Sequence, residues 1–443
     1  VLLRCPLPES KFWEETARKE IAMKIYTLKY TLLAAAFAIF NCQFLLAQQT
    51  KLDSLKLVIE NSKEDTVKIT TLQSLANELH WAGHYDESLK ISDTLRRLSS
   101  TLHYNKGFGY SFVIAGQNYI RKGNYDSAFN NFQKAISVFS KLRIYHEEAS
   151  SHLYLGQVYD YKAEYNEALK QYNYALQGLK DTPNELLQVK IFNSFAITHL
   201  NKGSYEISLE YCLKALKICS RLNNDRIYAS LLNNIGAVYA RLSEYENALK
   251  YFLLYLEVMN RLNIKYPLGV AYLNIGETYK KLDQDKQAVI NLNEAIKIQT
   301  DINDKRGLAL SFTNLGDIYK RQKQLKVALE FYEKSSVLAK EIKDEEVLLS
   351  PLEGLGDIYL RQGDFSKAKQ IANQSLTIAK KIDSKSWMEK AYFSCSKLDS
   401  AIGDYKHAYE CFKKHSALHD SLFNERKSQQ IVSMQELYES DRK

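Results

Sequence analysis

The residues of this 443-residue chain that could do chemistry are nine histidines, six cysteines and a set of amides and cations spaced for one helix face. His415 and His419 stand four apart, so two imidazoles on one face could share a metal ion. The sequence places nothing beside them to complete a ligand set, and no metal is expected. His146-Glu147-Glu148 has no second histidine at the spacing a metalloprotease helix requires. Gly354-Leu355-Gly356 lacks the third glycine of a phosphate loop. Cys212 and Cys219 lie two helical turns apart, about 10 Å by helix rise, beyond disulfide reach. No catalytic residue and no cofactor is expected, and the chain reads as non-enzymatic.

The amides and cations are more informative. Asn234, Asn274 and Asn314 recur every forty residues, and seven places after them stand Arg241, Lys281 and Arg321, continued by Arg121 and Arg361. Glu277, Asp317 and Asp357 lie between. Offsets of three and seven put all three groups on one helix face. Side-chain amides there suit a peptide backbone, and a ladder of cations suits acidic groups. The competing expectation is a solvated face of ion pairs, each contributing little.

What must position that face is a repeat of forty residues, nine rows long from Lys68 onward. One column holds small residues: Ala76, Gly116, Gly156, Ala196, Gly236, Gly276, Gly316, Gly356 and Ser396. Three places on stand Tyr119, Tyr159, Tyr239, Tyr279, Tyr319 and Tyr359, with Leu79, His199 and Asp399 in the other rows. Twelve places on stand Ala128, Ala168, Ala248, Ala288, Ala328, Ala368 and Ala408, with Ser88 and Ser208. A large residue follows four later at Phe132, Tyr172, Phe252, Leu292, Tyr332 and Phe412, with Ser92, Cys212 and Ala372 as the exceptions. Small residues let two helices approach and the aromatics fill the space between them. Gly83, Gly123, Gly203, Gly363 and Gly403 mark the turn, where a helix C-cap favours glycine. Cys212, Cys219 and Cys395 fall in core columns, where a free thiol acts as a small hydrophobe. Cys411 has no place in the pattern.

Leu155, Gly156, Tyr159, Ala168, Tyr172 and Ala175, and a second good copy over 315–332, resemble the tetratricopeptide repeat. The resemblance spans about 68–415. It implies an all-α, right-handed superhelical solenoid of antiparallel helix pairs whose concave groove is lined by the Asn/Arg/Lys face, with a protein or peptide as partner. The usual unit has about 34 residues. The additional ones are expected in the second helix and its connection, as at Arg261 to Tyr266. Residues 48–67 read as an N-terminal capping helix and 416–443 as a helical or coiled tail. Ser88, Ser396 and Asp399 read as polar drift on solvent-facing terminal repeats.

At the N-terminus, Lys24 and Lys29 precede an apolar run over 31–47, so 23–47 reads as a signal peptide starting at Met23, with 1–22 as upstream extension. A retained membrane anchor, with membrane association through 31–47, and a lipoprotein signal at Cys42 are the competing expectations. Lys63 to Lys68 and the stretches around His419 to Phe423 and Tyr438 resemble the extracytoplasmic part of bacterial sensor histidine kinases and regulators. That resemblance implies an alternative role as the sensory input of a membrane-associated signalling protein, facing the periplasm. Few breakers (5 Pro and 17 Gly against 31 Tyr) suit a helical array, and a net charge of +8 spread along the chain gives no reason to expect nucleic acid.

The Ala column makes a direct prediction. Ala248→Leu overpacks the helix pair and lowers stability by about 1–3 kcal/mol, read as a lower urea midpoint; an unchanged midpoint would count against the column assignment.

Overall fold

The computed structural model describes residues 52–63, 65–180 and 182–441; residues 1–47, with the expected extension and export segment, lie outside them. The described residues are helical throughout, without strands, and fall into two compact units, residues 1–158 and 159–443. The first holds α1 (52–61), α2 (Thr66–Trp81), α3 (Tyr85–Thr101), α4 (Asn105–Arg121), α5 (Tyr125–Leu142) and most of α6 (Tyr145–Tyr161). The second holds α7 (Tyr165–Gln177), α8 (Glu185–Lys202), α9 (Tyr205–Cys219), α10 (Asp225–Arg241), α11 (Tyr245–Leu262), α12 (Lys265–Lys281) and α13 (Asp285–Asp301). It continues through α14 (Lys305–Arg321), α15 (Leu325–Glu341), α16 (Glu345–Gln362), α17 (Phe365–Lys381), α18 (Lys385–Ile402) and α19 (Tyr405–Asp441). None of these helices is long and apolar enough to cross a membrane.

Within each unit, neighbouring helices pack as antiparallel pairs. The first helices of successive pairs also touch one another: α2 with α4 in the first unit, and α12 with α14, α14 with α16 and α16 with α18 in the second. Among the described residues, no two successive second helices pack to that extent. The first-helix side is therefore the inner side of the stack, and the second helices fan outward.

The turns explain the repeat length. A residue in the left-handed region closes almost every helix, at twenty-residue intervals. One series holds the glycines expected from the sequence, together with Ala163, Ser243, Asp283 and Lys323. The other contains no glycine: His103, Arg143, Asn223, Asn263, Asn303, Lys343 and Asp383. Each such turn folds the chain back on the helix it leaves, as where the Glu244 N–H donates to Tyr239 O and the Asp304 N–H to Gln299 O. Forty residues are thus two helices of about equal length with two equivalent turns. Of the lengthening expected around Arg261 to Tyr266, the helix supplies its share, since α11 runs to Leu262, but the connection does not, since α12 already begins at Lys265. The series breaks once, at Pro183, whose ring fixes φ near −65° and forbids the left-handed turn. There α7 stops early at Gln177, and α8 restarts under the Asn184 side chain, which accepts from the Leu187 N–H (2.8 Å).

The columns are packing partners. A Cβ on Gly116 would lie 2.7 Å from the Phe132 ring, one on Gly236 2.7 Å from Phe252, and one on Gly316 2.6 Å from Tyr332. Where the small residue grows to alanine, its partner shrinks: Ala76 goes with Ser92, and Ala196 with Cys212. In those two rows the Ala column becomes serine, and Ser88 and Ser208 donate to the Ala76 and Ala196 carbonyls (2.6 Å each). Polar residues in the first and last rows are therefore not solvent-facing drift. Ser88 is 0% exposed and Asp399 only 3%. Ser88 also receives the Asn118 amide (2.8 Å), whose oxygen meets His80 Nδ1 (2.9 Å). The cysteines do occupy core slots. Cys411, unplaced by the sequence, packs with Ala368, Ala372, Cys395 and Leu398.

His199 is a costly member of the tyrosine column. It stacks on Tyr211 (5.7 Å between ring centres) with its Nδ1 buried and unpartnered. Burial, reinforced by Lys202, pushes its pKa down to about 4. Because the folded-state pKa lies below the unfolded one, the unfolded chain takes the proton first, and stability falls as pH drops from about 6.5 toward 4. His199→Phe is expected to remove about 2–3 kcal/mol of that acid sensitivity, measured as the shift in urea midpoint between pH 7 and pH 4.5 relative to the parent chain.

Candidate binding surface

The inner face is built from the ends of first helices, and the ladder expected there divides into groups with different fates. Asn234 and Asn274 are half-buried and donate to Asn193 and Asn233 on the preceding first helix (2.8 and 3.0 Å). These amides tie one repeat to the next. Asn314 is buried and donates to Leu310 O on its own helix (3.0 Å). Equal spacing on the sequence therefore does not give equal exposure, because offsets fix a face of a helix and not the distance to its neighbour.

The cations separate in the same way. Arg321 is held by Asp283 and Asp285 in the preceding turn and by the Lys280 carbonyl (3.2 Å). Arg361 pairs with Asp357 one turn earlier (3.2 Å). Lysines one place earlier, which the sequence reading passed over, reach forward to the next repeat: Lys280 to Asp317 (2.7 Å) and Lys320 to Asp357 (3.7 Å). Asp317 also accepts the Tyr332 hydroxyl (2.7 Å), and burial, with that carboxylate, holds the phenol protonated. Arg241 and Lys281 are exposed and make no ion pair among the described residues, and the same holds for Arg121 in the first unit.

Arg241 and Lys281 open onto one concavity of about 690 Å³ at the C-terminal ends of α8, α10 and α12. Asn274 and Glu277 share its wall, and Tyr205 and Tyr245 supply aromatic surface. The sequence reading named Asn274, Glu277, Arg241 and Lys281. The two tyrosines were not among the residues singled out there; they stand half-buried just after the turn residues Gly203 and Ser243, and that recurring position was the available signal.

Two side-chain clusters bear on metal binding, and both lie between α18 and α19. Asp399, His407 and Cys411 present ligand atoms within 4.8 Å of one another and could hold an ion. His407 Nδ1 lies 2.6 Å from the buried Asp399 carboxylate and 4.0 Å from Cys411 Sγ. His415 and His419, the pair singled out by spacing, both face Glu389, at 3.1 and 3.5 Å. That acid stands on the other helix, α18, so spacing along α19 could not point to it. Burial pushes the Cys212 and Cys395 thiols up to about 12, with Cys411 adding to the effect at Cys395. Thiols held so strongly protonated are poor nucleophiles.

Comparison with known proteins agrees with this architecture. A family described as "MalT-like TPR region" matches residues 265–437, and one described as "Tetratricopeptide repeat" matches 113–181, 188–261 and 228–301. The gap between the first two of these segments contains Pro183. No curated protein matches the chain in sequence. Among solved structures, a Rap protein complexed with Competence and Sporulation Factor superposes with TM-score 0.57 at 16% identity, over 82% of this chain and 100% of that one. Aspartyl phosphate phosphatase F from Bacillus subtilis gives TM-score 0.53 at 14% identity, over 79% and 94%. A signal-transduction ATPase with a tetratricopeptide repeat sensor from Pyrococcus horikoshii gives 0.52 at 17%, over 77% and 55%. At these identities the likeness is one of fold.

Proposed function

This chain is a tetratricopeptide repeat protein, and we propose that it is a scaffold that binds an acidic peptide or protein segment on the inner face of its second unit. The observation that supports this reading is the concavity carrying Arg241 and Lys281. Two cations left unpaired beside an amide and two aromatic rings present charge, hydrogen bonding and apolar surface together. Arg321 and Arg361, committed to internal ion pairs, are assigned to holding the repeats together. A second reading, the sensory input of a signalling protein, draws on α19, which runs unbroken from Tyr405 to Asp441 and also touches α9. Such a helix gives binding in the stack a continuous element to act on. We further propose that the binding surface works outside the cytoplasm, exported by 23–47; N-terminal sequencing of the mature chain, with Met23 retained, would refute export by cleavage.

The binding reading is tested by selecting from a displayed peptide library with the purified chain. Enrichment of peptides bearing Asp or Glu is expected. Arg241→Ala with Lys281→Ala should weaken the selected peptides roughly 10–100-fold, since each charged contact contributes on the order of a factor of ten. Arg361→Ala should leave affinity within about twofold, the range expected of an exposed pair that makes no ligand contact. Selection without acidic preference, or affinity indifferent to the double change, would remove the proposal.

A further inference from the structure

A second cavity, of about 370 Å³, opens among α16, α17 and α18, and its origin lies in one departure from the repeat. In the seventh row the Tyr332 ring is clasped between two glycines. A Cβ would come within 2.6 Å of the ring at Gly316 and within 2.3 Å at Gly354, and the hydroxyl donates to Asp317. Forty residues on, the glycine and the acid persist as Gly356 and Asp357, but the ring is replaced by Ala372. The space beside Gly356 is accordingly open, its nearest neighbour being Ile371 Cγ2 at 3.4 Å. Gly356, Asp357 and Ser394, the counterparts of the three residues around the seventh-row phenol, line the cavity together with Ala372, which stands in place of the phenol itself.

Ser394 stands where the seventh row has Gly354, and the chain shows that a serine there admits a phenol. Ser194 occupies the same column beside Tyr172, a fully buried tyrosine whose hydroxyl meets Asp160. Ser194 and Thr198 reach the same oxygen. The cavity thus keeps the floor, the wall and the hydrogen-bond acceptor of a tyrosine site that the chain does not fill. Its rim carries both signs of charge, Lys390 and Lys397 with Glu353 and Glu389. A mixed rim of this kind complements the amide groups flanking a side chain in a polypeptide better than it does an aliphatic tail.

We propose that this cavity binds a tyrosine side chain presented by a polypeptide partner, the ring lying on Gly356 and Ala372 and the hydroxyl donating to Asp357. The site is separate from the Arg241/Lys281 concavity, and its success or failure is independent of the acidic-peptide reading.

The test uses the full chain and three probes in calorimetric or ligand-observed NMR titrations: N-acetyl-tyrosine N-methylamide, its phenylalanine analogue and p-cresol. The tyrosine probe should bind, with the phenylalanine analogue roughly tenfold weaker for want of the hydrogen bond to a carboxylate. Asp357→Ala should abolish that difference. Ala372→Tyr, which copies the seventh row, should abolish binding and raise the melting temperature. Should that variant fail to fold, the wild-type probe series and Asp357→Ala still decide the matter. Absence of tyrosine-probe binding, equal affinity for tyrosine and phenylalanine probes, or p-cresol binding as tightly as the amide-bearing probe would each overturn the proposal, the last by showing a site for free phenols.

Discussion

Contact between a residue without a side chain and an aromatic ring sixteen places later sets the spacing of the helix pairs. The ring of Phe132, Phe252 or Tyr332 lies where a Cβ would stand on Gly116, Gly236 or Gly316, so neither partner can grow alone. What the fold requires is that the two positions be complementary, one shrinking where the other grows. Alanine opposite serine or cysteine satisfies it as well as glycine opposite a ring, provided the vacated space is closed by a hydrogen bond such as Ser208 to Ala196 O. The sixth row sets Leu292 against Gly276, whereas the eighth keeps Gly356 with only Ala372 opposite, and an open cavity follows directly.

A similar pairing rule governs the far ends of the helices. Glu185 and Asp225 meet Arg221 and Arg261, whereas Lys265 and Lys305 meet Asp301 and Glu341, and Glu345 meets Lys381. The sign at one end reverses twice along these five rows, and the partner thirty-six residues on reverses with it. Each exposed pair contributes little to stability.

The architecture was legible in the sequence because packing columns recur with the same residue types, and nine rows leave little freedom in their alignment. The second series of turns was not legible. Histidine, arginine, asparagine, lysine and aspartate in the left-handed region carry no common signature, and their strain, about 1 kcal/mol for a non-glycine residue, is offset by the helices they join. The inner face was legible only in part. Spacing put Asn234, Asn274 and Asn314 on one side of a helix, but whether such a side is covered depends on the next helix, and it covers Asn314. Arg321 likewise could not be told from Arg241 until the turn bearing Asp283 and Asp285 was seen to reach it.

The interruption at Pro183 has a consequence for how the molecule comes apart. Apart from the contact of α19 with α9, packing in the stack joins neighbouring helices and neighbouring pairs, so cooperativity is handed largely from neighbour to neighbour. The shortest helix of the second unit, α7, lies immediately before the irregular connection at Pro183, and it packs on α8 less extensively than the other neighbouring helices of that unit pack on each other. Nearest-neighbour coupling is therefore weaker at that junction than at the regular ones beyond it, and a fracture of the second unit under denaturant or mechanical load starts there, leaving the regular blocks beyond it to melt on their own terms.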